Sequence, residues 1–95
     1  MRHNIEKALK EELRTLALTL RDRLNLTQSK MAEKLIMTDR SYSDIETGEN
    51  MCGTLTTILL LAELDDPKTY LQELKGKIDA LLEEEKAKET DIQLV

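Results

Sequence analysis

The chain has 95 residues, which fits one domain, and it is 40% hydrophobic but only 2% aromatic, so its core must be aliphatic and helices are favoured. One Pro and three Gly argue against a turn-rich β architecture, while a single Cys and a single His exclude an internal disulfide and argue against a metal site. The net charge of −5 argues against general attraction to nucleic acid. No apolar run is long enough to cross a bilayer, and none has the pattern of a signal peptide. We therefore expect a cytoplasmic helical protein without a membrane partner.

Apolar residues at spacings of three and four predict a long first helix. Asn4 is its predicted N-cap, and the helix is expected to end at Asn25 or Leu26. The apolar stripe of this helix consists of Ile5, Leu9, Leu13, Leu16, Leu20 and Leu24.

Two short helices are predicted next, each beginning after a threonine that can act as N-cap. Thr27 precedes a helix over residues 28–35, and Thr38 precedes one over residues 39–46 that Gly48 ends. The residues expected to face the core are Met31, Ala32, Leu35, Tyr42 and Ile45.

The second half of the chain predicts two further helices. Thr54 is the expected N-cap of a fourth helix reaching about Leu64, and its apolar circumference predicts a central place in the core. Pro67 suits the first position of a fifth helix, and the residues after Leu82 are almost all polar and are expected to fray. The fifth helix carries an apolar stripe that either packs within the chain or meets a second copy: Leu71, Leu74, Ile78 and Leu81.

The charges are divided unevenly between the two halves of the chain. Residues 1–50 hold nine basic and nine acidic side chains, whereas residues 51–95 hold five basic and ten acidic ones. The first half can therefore present a basic face to phosphate, although a mixed, solvated surface explains the same composition.

Two short runs resemble the helix-turn-helix family of Cro and phage repressors, also called XRE-like. The first run, over residues 26–35, matches a leucine-threonine-glutamine opening followed by an apolar residue, alanine and leucine; the second, over residues 42–48, matches the end of the recognition helix. The resemblance covers about residues 13–64. It implies an all-α, five-helix lambda-repressor-like DNA-binding domain over residues 1–66, with an extended C-terminal helix over residues 67–95.

In this family the recognition helix enters the major groove of DNA. The resemblance therefore implies contacts with double-stranded DNA from Thr27, Gln28, Thr38, Asp39, Arg40, Ser41, Ser43 and Asp44. Arg40 is expected to read a guanine, and Gln28 to contact the DNA backbone. Two alternatives stay open: Arg40 can form a surface salt bridge with Asp44, and Asp39 can serve only the helix dipole.

Two further positions matter to the integrity of the motif. Glu46 is expected to anchor the domain by pairing with a cation such as Arg23. Ile36 departs from the family pattern, because it stands where a glycine usually adopts a left-handed backbone that a β-branched residue resists. The turn is therefore reshaped, or the register of the match is displaced by one residue.

The resemblance implies a transcriptional regulator, a repressor acting as a homodimer, with no cofactor and no enzyme activity. Such small members occur in prophages, other mobile elements, toxin–antitoxin operons and restriction–modification operons. The alternative is a protein-interaction module, such as an antitoxin or antirepressor, whose acidic tail from Glu83 binds a basic protein partner.

Overall fold

The computed structural model describes the backbone of residues 2–94 and the side chains of residues 2–87, and the described backbone forms five helices and no strand. The helices are α1 (Arg2–Arg23), α2 (Gln28–Lys34), α3 (Asp39–Thr47), α4 (Thr54–Ala62) and α5 (Pro67–Leu94). The predicted all-α architecture of five helices with a long C-terminal helix is confirmed.

The chain divides into two compact units. The central unit is Lys10–Asp65; the terminal unit combines the described residues before Lys10 with those from Asp66 onward. The first residues of α1 thus group with α5 and not with the central unit. In the terminal unit the Asn4 side-chain amide donates to Oε1 of Glu85 at 2.7 Å.

The two ends of α1 differ in how closely they follow the sequence. The helix begins at Arg2, so Asn4 lies inside it and is not its N-cap. At the other end Asn25 has a φ of 55°, and the Leu26 N–H donates to the Arg21 carbonyl at 3.0 Å. Asparagine tolerates the left-handed region, which lets the chain turn sharply out of the helix.

The core of the central unit is aliphatic apart from one tyrosine. All five predicted core residues of α2, α3 and their junction are buried, and four residues of α1 are buried as well. The α1 residues are Leu13, Leu16, Ala17 and Leu20. Ala32, one of the residues predicted to face the core, is fully buried.

The fourth helix is not as central as its composition predicted. Gly53 and not Thr54 is its N-cap, and α4 ends at Ala62. Its buried residues are Thr56 and Leu60, whereas Leu55 and Ile58 remain exposed. A helix that is apolar all round offers no periodicity, so the sequence could not indicate which side faces the core.

The fifth helix begins at Pro67, as predicted. Asp66 precedes it and accepts hydrogen bonds from the Thr69 backbone N–H, at 3.1 Å, and from the Thr69 hydroxyl, which lower the pKa of the Asp66 carboxyl. The helical backbone continues to Leu94, past the point after Leu82 where the sequence predicted fraying.

Candidate nucleic-acid interface

The helices α2 and α3 begin with the same capping device. Thr27 Oγ1 accepts a hydrogen bond from the Lys30 N–H, and Thr38 Oγ1 accepts one from the Ser41 N–H, both at 3.1 Å. Both threonines have extended backbone, as N-caps do. The predicted caps are confirmed, and each fixes the first turn of a helix in which DNA-contacting residues were predicted.

The turn between α2 and α3 contains a strained residue. Ile36 has a φ of 58°, and the Met37 N–H closes the turn by donating to the Ala32 carbonyl at 3.0 Å. The left-handed conformation therefore occurs where the family has glycine, without a shift in register. It costs a β-branched residue about 1–2 kcal/mol, and the Ile36 side chain, 71% exposed, regains little of this by packing.

The start of α3 presents a mixed set of polar side chains. Asp39, Arg40 and Ser41 are exposed, whereas Ser43 and Asp44 are half-buried. Among the described residues Arg40 has no hydrogen bond or ion pair, so its guanidinium is available to a ligand. The Asp44 carboxylate accepts a hydrogen bond from the Asn50 amide at 3.4 Å and does not form the alternative salt bridge with Arg40.

Two of the predicted site residues connect or stabilise helices. Asp39 accepts a hydrogen bond from the Ser29 hydroxyl at 3.3 Å, which joins the start of α3 to α2. Asp39 also lies in the first turn of α3, where the helix dipole favours an anion. The Thr38 hydroxyl, besides capping, donates to the Ser41 hydroxyl at 2.9 Å.

A buried carboxylate lies beneath this surface and joins three helices. Glu46 of α3 is buried, and its two oxygens accept from Nε and Nη2 of Arg21 in α1, at 2.6 and 3.3 Å. The side-chain amide of Gln28 in α2 donates to the same carboxylate at 2.7 Å. The predicted anchoring role of Glu46 is thus visible, but its cation is Arg21 and not Arg23.

The position of Arg21 explains why it and not Arg23 forms this pair. Arg21 follows the buried Leu20 and is itself half-buried, so its side chain can reach inward, and its Nη1 also donates to the Leu26 carbonyl at 3.1 Å. Arg23 is exposed at the last position of α1. The two residues are about 200° apart around a helix, so only one of them can point toward α3.

The titration behaviour of Glu46 follows from this network. Burial by itself raises the pKa of Glu46, but the neighbouring Tyr42 hydroxyl and the donors of Arg21 and Gln28 outweigh burial and hold the pKa below its ordinary value of 4.5. Burial also raises the pKa of the Tyr42 phenol, and the Glu46 carboxylate raises it further. Glu46 is therefore an anion at neutral pH.

Gln28 has a divided role. The residue is exposed, as a DNA contact must be, but one hydrogen of its amide group is used by Glu46. The second amide hydrogen remains free to donate to a phosphate oxygen. The hydrogen bond to the buried Glu46 carboxylate thus fixes the position of the Gln28 side chain.

The end of α3 is held by a residue that the sequence did not single out. Arg14 Nε donates to the Glu46 carbonyl at 2.7 Å, and Gly48, with a φ of 84°, ends the helix as predicted. A cation near the last carbonyls of a helix is favourable, but the pairing joins residues far apart in sequence and no local pattern indicates it.

A comparison with protein families decides the identity of this domain. The family model described as helix-turn-helix matches residues 19–66, half of the chain. The chain belongs to the helix-turn-helix family of Cro/C1 type. No curated protein and no solved structure matches the chain.

The matched helix-turn-helix segment contains α2, α3 and α4 and all eight residues predicted to contact DNA. The terminal unit, except for Asp66, lies outside it. Within the described residues, none of the five helices combines the length and the apolar composition that crossing a bilayer requires, and no group of side chains there could hold a metal ion. The family assignment supports a DNA-binding regulator.

Proposed function

We propose that this helix-turn-helix protein is a repressor that binds specific double-stranded DNA sequences as a homodimer, with α3 in the major groove. The observation that carries the proposal is the free guanidinium of Arg40 on the first turn of α3, exposed and without a partner among the described residues. A guanidinium can donate to both O6 and N7 of one guanine, which gives about 1–3 kcal/mol of discrimination.

The seven other residues expected at the interface are proposed to support Arg40. Thr27 and Gln28 lie on the exposed start of α2 and are proposed to contact the DNA backbone, with Thr38 and Ser41 doing the same at the start of α3. Ser43, Asp39 and Asp44 are proposed to contact base edges, where the carboxylates can accept from the amino group of cytosine. The backbone contacts would position the protein on the duplex, and the base contacts would discriminate between sequences. Arg40 supplies the positive charge of α3.

The number of base pairs reached by one domain motivates the homodimer. A single recognition helix contacts a short half-site, and dimers of such domains read two half-sites about one turn of DNA apart. Blocking a promoter by occupying such a paired site requires nothing beyond DNA binding itself. Repression is therefore proposed.

In-vitro selection from a random duplex library tests the proposal. We expect an enriched inverted repeat for the unaltered chain and loss of one conserved base-pair preference for Arg40→Ala. The matched control is Arg2→Ala, which removes another exposed arginine outside the family match and should leave the selected sequence unchanged. Failure to enrich any sequence at low salt would remove the basis of the proposal.

The alternative function, a protein-interaction module, rests on the acidic run after Leu82. Glu83 and Glu84 are exposed on α5, while the side chains from residue 88 onward lie outside the described residues. Truncation after Leu82 distinguishes the two functions, because it should abolish binding of a basic protein partner but leave the selection of DNA sequences intact.

A further inference from the structure

The last turn of α3 is linked to α1 by an arginine that binds its main chain. Arg14 Nε donates to the Glu46 carbonyl at 2.7 Å, one residue before α3 ends. The backbone N–H groups of Gly48 and Glu49, which cap the helix, donate to earlier carbonyls of α3. The last carbonyls of a helix have no donor within it, so Arg14 supplies from α1 what α3 itself lacks at this position.

The Arg14 side chain is held in place by two neighbours. Its Nη1 lies 3.5 Å from Oε2 of Glu11, one turn earlier on α1. A Cβ atom at Gly48 would lie 3.9 Å from Arg14 Cδ, so the side chain passes the end of α3 at ordinary contact distance. The Arg14 side chain is only 34% exposed. These contacts direct its Nε–H toward the Glu46 carbonyl.

The Arg14 bond differs in kind from the Arg21 ion pair. Arg21 binds the Glu46 carboxylate, which lies at the end of a side chain with rotatable bonds, whereas Arg14 binds the backbone of α3. The two arginines are seven residues apart in α1, which places them about 20° apart around the helix and about 10 Å apart along it. Two points on one face of α1 therefore hold the last turn of α3, and one of them acts on its main chain.

We propose that Arg14 is a positioning residue for DNA recognition, because the last turn of α3 that it holds sets the direction in which the first turn presents Arg40 to a base. Arg40 precedes Glu46 by six residues, about 9 Å along the helix axis. A tilt of about 10° at Glu46 would move the start of α3 by about 1.5 Å. Hydrogen bonds tolerate only about 0.5 Å in length, so such a tilt would disrupt the reading of a guanine. The role rests on the proposed DNA-binding function.

The orientation of α3 can be measured on the full chain without DNA. Residual dipolar couplings of the backbone amides report the angle between α1 and α3, and we expect Arg14→Ala to change this angle. Lys10→Ala is the matched control: it removes a neighbouring cation of α1 and should leave the angle unchanged. Circular dichroism verifies that both variants are folded. An unchanged angle in Arg14→Ala overturns the proposal.

Arg14→Lys provides a second variant that does not depend on the folding of Arg14→Ala. Lysine keeps a positive charge and an aliphatic stem beside Gly48, but it has no Nε–H fork of fixed geometry. We expect Arg14→Lys to change the angle between α1 and α3 in the same direction as Arg14→Ala. If Arg14→Lys behaves like the unaltered chain, charge near the helix end is sufficient and the positioning role is overturned.

A double-variant cycle in DNA binding tests the consequence for recognition. By fluorescence anisotropy, Arg14→Ala should bind the sequence selected by the unaltered chain about tenfold more weakly, with little change on random duplex. Because Arg14 acts through Arg40, adding Arg14→Ala to Arg40→Ala should cause little further loss. Equal losses on both DNAs would make Arg14 a phosphate contact, and additive losses on the selected sequence would make its effect independent of Arg40. Either result overturns the proposal.

The same measurements separate this role from the proposed function. If the unaltered chain prefers no sequence, DNA recognition and the positioning role fail together, even if the angle between α1 and α3 responds to Arg14→Ala. If the unaltered chain selects a sequence that Arg40→Ala alters and Arg14→Ala does not, only the positioning role fails.

Discussion

The ion pair between Glu46 and Arg21 allows the loss of stability on its removal to be predicted. Replacing Glu46 with Ala leaves Arg21 without its carboxylate and removes an acceptor from Gln28. Removing one partner of a buried pair costs about 3–5 kcal/mol, and the Arg21 side chain, 29% exposed, can be partly rehydrated, so we expect the lower end, about 3 kcal/mol. This is a large fraction of the roughly 5–15 kcal/mol that stabilises a small domain.

A double-mutant cycle distinguishes the observed partner of Glu46 from the predicted one. Urea unfolding of Glu46→Ala, Arg21→Met and the double variant should give a coupling energy of about 2 kcal/mol, since residues in one ion-pair network are not additive. The same cycle with Arg23→Met should give additive effects. Coupling to Arg23, or a loss below about 1 kcal/mol for Glu46→Ala, would refute the reasoning.

Three further predictions follow from the titration of Glu46, from two glycines and from Arg40. The pKa of Glu46 is lower in the folded chain than its ordinary value of 4.5. The ionised carboxylate therefore stabilises the fold fully above pH 4.5, and this contribution is lost as the pH falls through the folded pKa. In acid unfolding, the free energy of unfolding of Glu46→Gln should depend less on pH in this range. Gly48→Ala should destabilise the fold by about 1–2 kcal/mol because Gly48 has a φ of 84°. Gly76→Ala should stabilise it by about 1 kcal/mol, because Gly76 lies inside α5 with open space around it. Thermal unfolding of both variants measures these changes. In fluorescence anisotropy, Arg40→Ala should weaken binding to the selected site by about 1–3 kcal/mol. Binding of the unaltered chain to random duplex should be weak and should decrease as the salt concentration rises. If Arg40→Ala lost the same binding free energy on the selected site and on random duplex, a base-reading role would be contradicted.

Local signals were enough to predict the helices that carry the candidate site. Thr27, Thr38 and Gly48 act within four residues of their own position, and each has the predicted capping role. The strained backbone at Ile36 was likewise indicated by a departure at one position. These features depend on short-range sterics and hydrogen bonds, which a sequence displays directly.

The features that the sequence did not predict correctly depend on contacts between distant segments. The choice of Arg21 over Arg23 is set by where α3 packs on α1, and Arg14 reaches a carbonyl more than thirty residues away. The grouping of Asn4 with Glu85 spans almost the whole chain. The exposed side of α4 was invisible for a different reason, since a uniformly apolar segment has no preferred face.

The Glu46 network has a consequence for how DNA is read. One carboxylate joins α1, α2 and α3, so a change in the angle between the two helices of the motif would break some of its hydrogen bonds. If the protein keeps one shape, the DNA duplex must change its own shape to fit it. We therefore expect base pairs that no side chain touches to affect affinity through the energy needed to bend or twist them into register.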